Sequence, residues 1–322
     1  MRLLHVVALI VILGVSAALR FYGSPLYHPD EHYVVVQAHY MPHSKFRPTN
    51  FNYPSFYPTI LAVVYKYMPN LGKGLIGKRI YPEDALKNTP FYQMQARFIT
   101  ALLGTFTVFL VYLIGNSLGW PYAGLAGAAF LAVSLNHVEN SHFATVDVPM
   151  TFNATLAFLF SCLHYRSGRP AWALLGGVFC GITIGTKYNA APILLPLLFS
   201  TICVAVRKRT FRAWWAVIGG MAIVPLGFLI ANPYFPIIPM SYIEKLRSQM
   251  RVYSGRFPGY DDFIGPSNWI WNAAYLARAG MGLLPMILAV LGAIMLIISQ
   301  KCKGILIVCF PLFYYAFISS QS

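Results

Sequence analysis

Pro58-Thr-Ile-Leu-Ala-Val-Val-Tyr-Lys-Tyr-Met-Pro69 decides how this chain is laid out. Thr59–Met68 is a ten-residue apolar stretch between two prolines, and it carries Lys66. A hydrocarbon core of ~30 Å needs about 20 apolar residues in helical form, so so short a run reads as re-entrant or interfacial. Nine longer apolar runs surround it, near 3–20, 96–115, 121–135, 149–164, 171–186, 189–206, 213–231, 282–299 and 304–318. If Thr59–Met68 does not cross, the loops holding Arg166/Arg169, Arg207/Lys208/Arg209/Arg212 and Lys301/Lys303 all share one side with Arg2, free of acids. That is the positive-inside pattern. A crossing would send the same basic loops outside.

Composition supports the lipid-solvated reading. Of 322 residues, 57% are hydrophobic and 10% charged, against about 25% charged in soluble domains; the mean hydropathy is +0.59. The predicted fold class is all-α: a polytopic transmembrane helical bundle of about nine spans plus the short helix, forming one membrane domain over 1–322. Two long external loops follow, 21–95 and 232–281, and loops of such length usually carry function. Lys73, Lys78 and Lys87 are expected on the same side as Asp30. The first run, after Met1-Arg2, resembles a signal core. Its length, and its direct passage into the Asp30 region, favour an uncleaved first span.

The net charge of +15 does not imply nucleic acid as a partner. The cations sit in loops between spans, where they fix orientation and meet anionic membrane lipids. Cys162, Cys180, Cys203, Cys302 and Cys309 lie in or beside apolar runs without a CxxC pair, which indicates neither a zinc site nor a disulfide framework.

Polar chemistry gathers on the side opposite the basic loops. Pro29-Asp30-Glu31 supplies a helix start about ten residues past the first span; acids there are favoured by the helix dipole alone, and also suit a general base with a neighbouring carboxylate. His28-Pro29-Asp30-Glu31-His32 matches the H-x-x-E-H zinc-protease pattern, but Pro29 disfavours helical geometry at His28, so the histidines should not converge. Arg97 opens the second span, Glu139, His142 and Asp147 lie in the loop 136–148, and Lys187 follows Gly185-Thr186 at a helix end. Each has a plain account: a snorkelling cation, or an Asp capping the helix that begins at Pro149. Together they place acids and cations at one membrane-level site. Carboxylates suit deprotonating a hydroxyl and cations suit binding a phosphate, so the substrate is expected to be a lipid phosphate.

Leu19-Arg20-Phe21-Tyr22, His28-Pro29-Asp30-Glu31 and Asn52-Tyr53-Pro54-Ser55-Phe56-Tyr57-Pro58, with Ala96-Arg97-Phe98, Thr145-Val146-Asp147-Val148-Pro149 and Gly185-Thr186-Lys187-Tyr188, resemble the polytopic glycosyltransferases that use polyprenyl-phosphate sugars. These are the protein O-mannosyltransferases and lipid A aminoarabinose transferases. The resemblance spans nearly the whole chain, although such enzymes are usually longer, so the chain is read as a fragment or a minimal member. It implies an inverting glycosyltransferase on the non-cytoplasmic side of a multi-pass membrane protein. Asp30 corresponds to the catalytic base and Glu31 to its partner acid. Arg97 and Lys187 correspond to positions near the donor phosphate, and Tyr53, Tyr57, Asp147 and Tyr188 to the lining of the donor and acceptor site. The implied partners are a polyprenyl-phosphate-linked sugar and an acceptor protein, lipid or glycan. No cofactor is required by any motif; a divalent metal stays open, with no diagnostic ligand spacing. The rival classes are a secondary transporter, disfavoured because its polar sites would sit at the bilayer midplane, and a non-catalytic subunit of a glycan-assembly complex.

Overall fold

The computed structural model describes residues 2–22, 28–71, 89–254 and 268–320, all helix and connecting loop with no strand among them. Lys73, Lys78 and Lys87 lie outside the described residues, as do parts of both long loops. In chain order the helices are α1 (Arg2–Phe21), α2 (Pro29–Tyr40), α3 (Phe56–Tyr67), α4 (Thr89–Ser117), α5 (Pro121–Val133), α6 (Leu135–Asn140), α7 (Asp147–Ser167), α8 (Pro170–Ile184), α9 (Leu194–Lys208), α10 (Phe211–Ala222), α11 (Val224–Ala231), α12 (Pro239–Ser254), α13 (Asn268–Tyr275), α14 (Leu283–Gln300) and α15 (Cys302–Ser319). Proline opens α2, α5, α8 and α11, where its missing N–H costs nothing and its fixed φ is already helical. Gly168, at φ +62°, ends α7 in the left-handed conformation that an L side chain resists.

Six described segments are long and apolar enough to cross a membrane: Leu3–Phe21, Phe91–Ser117, Tyr188–Lys208, Phe211–Ala231, Leu283–Gln300 and Cys302–Ser319. The chain is therefore an integral multi-pass membrane protein. The other three expected runs are helical too, but α5 and α8 are shorter and α7 carries Asp147, Asn153, His164 and Arg166. On α14 no residue is buried, and Leu288, Leu291, Met295 and Ile298 stand exposed, as a lipid-facing helix requires. Thr59–Met68 falls in α3, a 12-residue helix that is not among the candidate spans.

The basic loops share one end of the bundle. Arg166 Nη1 donates to Ser117 O at 3.0 Å, Arg207 Nη2 to Tyr165 O at 2.7 Å and Lys208 Nζ to Gly168 O at 2.9 Å. Lys303 Nζ sits 5.3 Å from the centre of the Trp120 ring. These contacts gather the ends of α4, α7 and α9 with the starts of α5, α8 and α15. Asp147 lies at the opposite end of α7, about 30 Å away at 1.5 Å per residue.

Close backbone approach fixes α8 against α10 and α11. A Cβ on Gly181 would meet Val224 O and Phe228 N, and one on Gly177 would meet Gly220 O. Gly177, Gly181 and Gly185 recur every four residues, the small-residue stripe by which membrane helices bring their backbones together. A separate apolar core, including Val34, Val35, Ala38, Tyr57, Leu61, Ala96 and Val146, binds α2 and α3 to α4 and to the loop before α7.

Candidate active site

Asp30 and Glu31 are neighbours in sequence but face different surroundings, since successive helical residues point about 100° apart. Pro29 starts α2, His28 Nδ1 accepts from Asp30 N at 3.2 Å, and the Glu31 carboxylate reaches back to His28 N at 3.4 Å. This reciprocal cap fixes the first turn. It also orients His28 into the cap, 5.2 Å from the Phe143 ring, rather than towards His32. No group of three metal-ligating side chains gathers among the described residues.

Glu31 is fully buried, at 0% exposure. Its Oε1 accepts from Arg97 Nε at 2.6 Å and Ala144 N at 2.7 Å; its Oε2 accepts from Arg97 Nη2 at 2.5 Å and Gln93 Nε2 at 2.8 Å. The carboxylate thus ties α2 to α4 and to the loop before α7. Arg97 is itself only 2% exposed, and its guanidinium lies 5.7 Å from the centre of the Phe143 ring. This corrects the expected geometry of two residues. Glu31 faces no open surface, and Arg97 lies eight residues inside α4, ion-paired with Glu31 rather than at the helix start. A buried charge needs a fixed, hydrogen-bonded counter-charge, which each partner supplies to the other.

Tyr57 is also placed differently from a lining residue. It is 0% exposed, with Oη donating to Ala96 O at 2.9 Å and 2.6 Å from Thr100 Oγ1. Burial pushes its phenol pKa up, so it remains a neutral strut between α3 and α4.

Asp30, Tyr53, Lys187 and Asp147 are brought together at the surface. Tyr53 Oη donates to Asp30 Oδ2 at 3.0 Å. The Tyr53 ring centre is 5.8 Å from Lys187 Nζ, and Lys187 Nζ donates to Asp147 Oδ1 at 2.5 Å. The Lys187 and Asp147 side chains are 20% and 37% exposed, so the ammonium is accessible while held. Asp147 begins α7 without capping it, which replaces the expected capping role with an ion pair. Tyr188 follows Lys187 into a 3₁₀ turn, Tyr188–Ile193. The buried Tyr188 Oη and Asn189 Oδ1 have no hydrogen-bond partner among the described residues.

The loop bearing Tyr53 is anchored by residues that the sequence did not single out. Asn232 Oδ1 accepts from Ser55 N at 2.7 Å and from Ser55 Oγ at 3.0 Å, while Asn232 Nδ2 donates to Gly185 O at 3.1 Å. Tyr242 Oη is 3.1 Å from Ser55 Oγ. One buried asparagine at the end of α11 thereby sets the loop of Tyr53 against the turn of Lys187. Gln93, four residues before Arg97 on α4, is the other unforeseen member; that spacing on one helix face was its available signal. Of the remaining loop residues, His142 Nε2 lies 2.8 Å from Leu19 O and Glu139 is exposed on α6. The second unforeseen cluster lies beside them. Buried Arg20 donates to Leu131 O and Ala132 O at the end of α5, and to His137 Nδ1 at 2.8 Å.

A polytopic helical membrane protein with an accessible aspartate and lysine at one end of the bundle is the class that fold and site define. The chain belongs to the dolichyl-phosphate-mannose-protein mannosyltransferase family, whose pattern matches residues 8–237. It is similar to protein O-mannosyl-transferase 1 of Danio rerio, 31% identical over 141 residues, which is 42% of this chain and 19% of that protein. Among solved structures it is similar in fold to the apo oligosaccharyltransferase of Archaeoglobus fulgidus, with a TM-score of 0.54 at 14% identity over 94% of this chain and 38% of that one. The Saccharomyces cerevisiae protein O-mannosyltransferase Pmt1-Pmt2 complex bound to the sugar donor gives 0.47 at 19% identity over 77% of this chain and 34% of that one. The chain therefore spans about a fifth of the length of the curated relative.

Proposed function

We propose that this chain is a membrane glycosyltransferase that transfers mannose from a polyprenyl-phosphate donor to an acceptor hydroxyl on a protein, with inversion, on the non-cytoplasmic side. The supporting observation is the half-exposed Asp30 held one tyrosine away from the accessible Lys187. The acceptor O–H gives its proton to Asp30 as its oxygen bonds to the anomeric carbon. The carbon–oxygen bond to phosphate breaks on the opposite face, and the electron pair leaves with the lipid phosphate. The positive charge of Lys187 balances the growing phosphate charge. Tyr188 Oη and Asn189 Oδ1 offer a donor and an acceptor to sugar hydroxyls. Glu31 and Arg97 serve as the brace that fixes α2. The end of the bundle bearing the site is the one opposite the basic loops, which is why it is assigned to the non-cytoplasmic side.

The test is transfer of labelled mannose from dolichyl-phosphate mannose to an acceptor peptide by the protein in nanodiscs. Asp30→Asn keeps size and polarity but cannot take up the proton, and is expected to cost about 10²–10⁴ in rate. Full activity in Asp30→Asn removes Asp30 as the base. No turnover of any polyprenyl-phosphate hexose by the parent overturns the reading as a whole.

A further inference from the structure

We infer that Tyr53 is a positioning residue that locks the base Asp30 and the phosphate-binding Lys187 into one unit; the inference rests on the function proposed above. Tyr53 touches both groups in different ways. Its hydroxyl donates to Asp30 Oδ2 at 3.0 Å, and its ring faces Lys187 Nζ at 5.8 Å from the centroid.

The first contact has a chemical consequence. Among the described residues the Asp30 side chain accepts a hydrogen bond from Tyr53 alone, and only on Oδ2. Oδ1 is left to receive the acceptor's proton, and rotation of the carboxylate about its own axis is stopped.

The second contact places the cation. An ammonium near an aromatic face is held by the ring quadrupole without using its N–H donors. The ring contact and the bond to Asp147 together hold the Lys187 ammonium in place beside Tyr53. Tyr53 itself is fixed on its C-terminal side: Ser55 is bonded to Asn232, and Asn232 to Gly185, two residues before Lys187. The tyrosine is thus held relative to the same turn whose lysine it contacts, and the distance from base to phosphate cation is set before substrate arrives.

Two substitutions separate the contacts. Tyr53→Phe removes the hydroxyl and keeps the ring; Tyr53→Leu removes both. In the mannosyl-transfer assay, Tyr53→Phe should lower kcat about tenfold or more, the loss of one hydrogen bond to a charged group, with the donor KM unchanged. Tyr53→Leu should show the same kcat defect and a raised donor KM in addition. Melting in detergent establishes that both variants are folded. A Tyr53→Phe enzyme with parental kcat, measured beside an inactive Asp30→Asn, overturns the positioning role and leaves the function standing. An unchanged donor KM in Tyr53→Leu overturns the contact to Lys187. Parental activity in Asp30→Asn instead removes the reading on which this inference rests.

Discussion

Replacing Glu31 by Gln tests whether the second acid of the Asp30-Glu31 pair acts on substrate or on the fold. The substitution is nearly isosteric. It takes away the charge opposite Arg97, and turns one carboxylate oxygen into an amide nitrogen facing donors. Both oxygens of Glu31 are already engaged: Arg97 and Ala144 donate to Oε1, Arg97 and Gln93 to Oε2. With Glu31 at 0% and Arg97 at 2% exposure, water cannot replace what is lost. Breaking one partner of such a pair costs about 3–5 kcal/mol, because the other charge stays buried and uncompensated. That is a large part of a total stability of ~5–15 kcal/mol, and it lowers the melting midpoint by roughly 10 °C in a chain of this size.

The assay is thermal unfolding in detergent, followed by loss of the monodisperse peak. Glu31→Gln is expected to melt early, and Glu31→Leu combined with Arg97→Leu to recover much of the loss, since an apolar pair can replace a buried ion pair. Transfer measured well below the lowered midpoint should be impaired in proportion to misplacement of Asp30. If Glu31→Gln melts with the parent and yet has lost transfer, Glu31 touches substrate and the brace reasoning is wrong.

Lys187→Ala should raise the donor KM at least tenfold and leave folding intact, since its partner Asp147 is 37% exposed and readily hydrated; unchanged donor use at low donor concentration would refute it. Gly181→Leu should abolish accumulation of folded protein, because any Cβ there meets the backbone of Val224 and Phe228; size-exclusion profiles decide it. Burial, helped by the neighbouring Arg20, holds the His137 pKa down to about 3. The unfolded chain takes up that proton near pH 6.5 while the native one refuses it, so this group costs stability as pH falls from 6.5 towards 3, by at most about 1.4 kcal/mol per unit. His137→Gln, which still offers Arg20 an acceptor, should flatten that acid slope in melts taken across this range.

The all-helical membrane fold was legible because its signal is composition summed over long windows, which local context cannot reverse. Thr59–Met68 was legible for a related reason: ten apolar residues between prolines are too few to span. Asp30, Tyr53, Asp147 and Lys187 were named from the sequence, and the fold brings them together. Side-chain direction was not legible. Arg97 and Tyr57 were placed at the site, whereas both point into the packing between α2, α3 and α4. Nothing in one sequence tells a cation facing lipid phosphate from one facing a carboxylate buried on another helix. Asn232 was invisible for another reason. Its work is to join Ser55 to Gly185, and a long-range bridge by an uncharged side chain leaves no periodicity to read. Arg20 did carry a signal, as an ionisable residue ending an apolar run, though not the identity of its partners on α5 and α6.

Adjacent acids at one helix start can hold opposite roles because the helix turns them onto different surroundings. Glu31 points into α4 and accepts from Arg97, Gln93 and Ala144, so it makes a rigid anchor. Asp30, one position earlier, keeps a single hydrogen bond and remains half exposed. The anchor is what makes the exposed partner useful: a base on an unpinned first turn would sample many positions, and misplacement by about 1 Å can cost on the order of 100-fold. The same division recurs at the other half of the site. Asn232 and Gly185 are buried and bonded, while Lys187, two residues on, reaches the surface. In each half the residue that fixes position is buried and bonded, and the residue left to react lies close to it at the surface. A substitution in either brace should therefore change how well the reacting groups are placed, whereas one in Asp30 or Lys187 removes the chemistry itself.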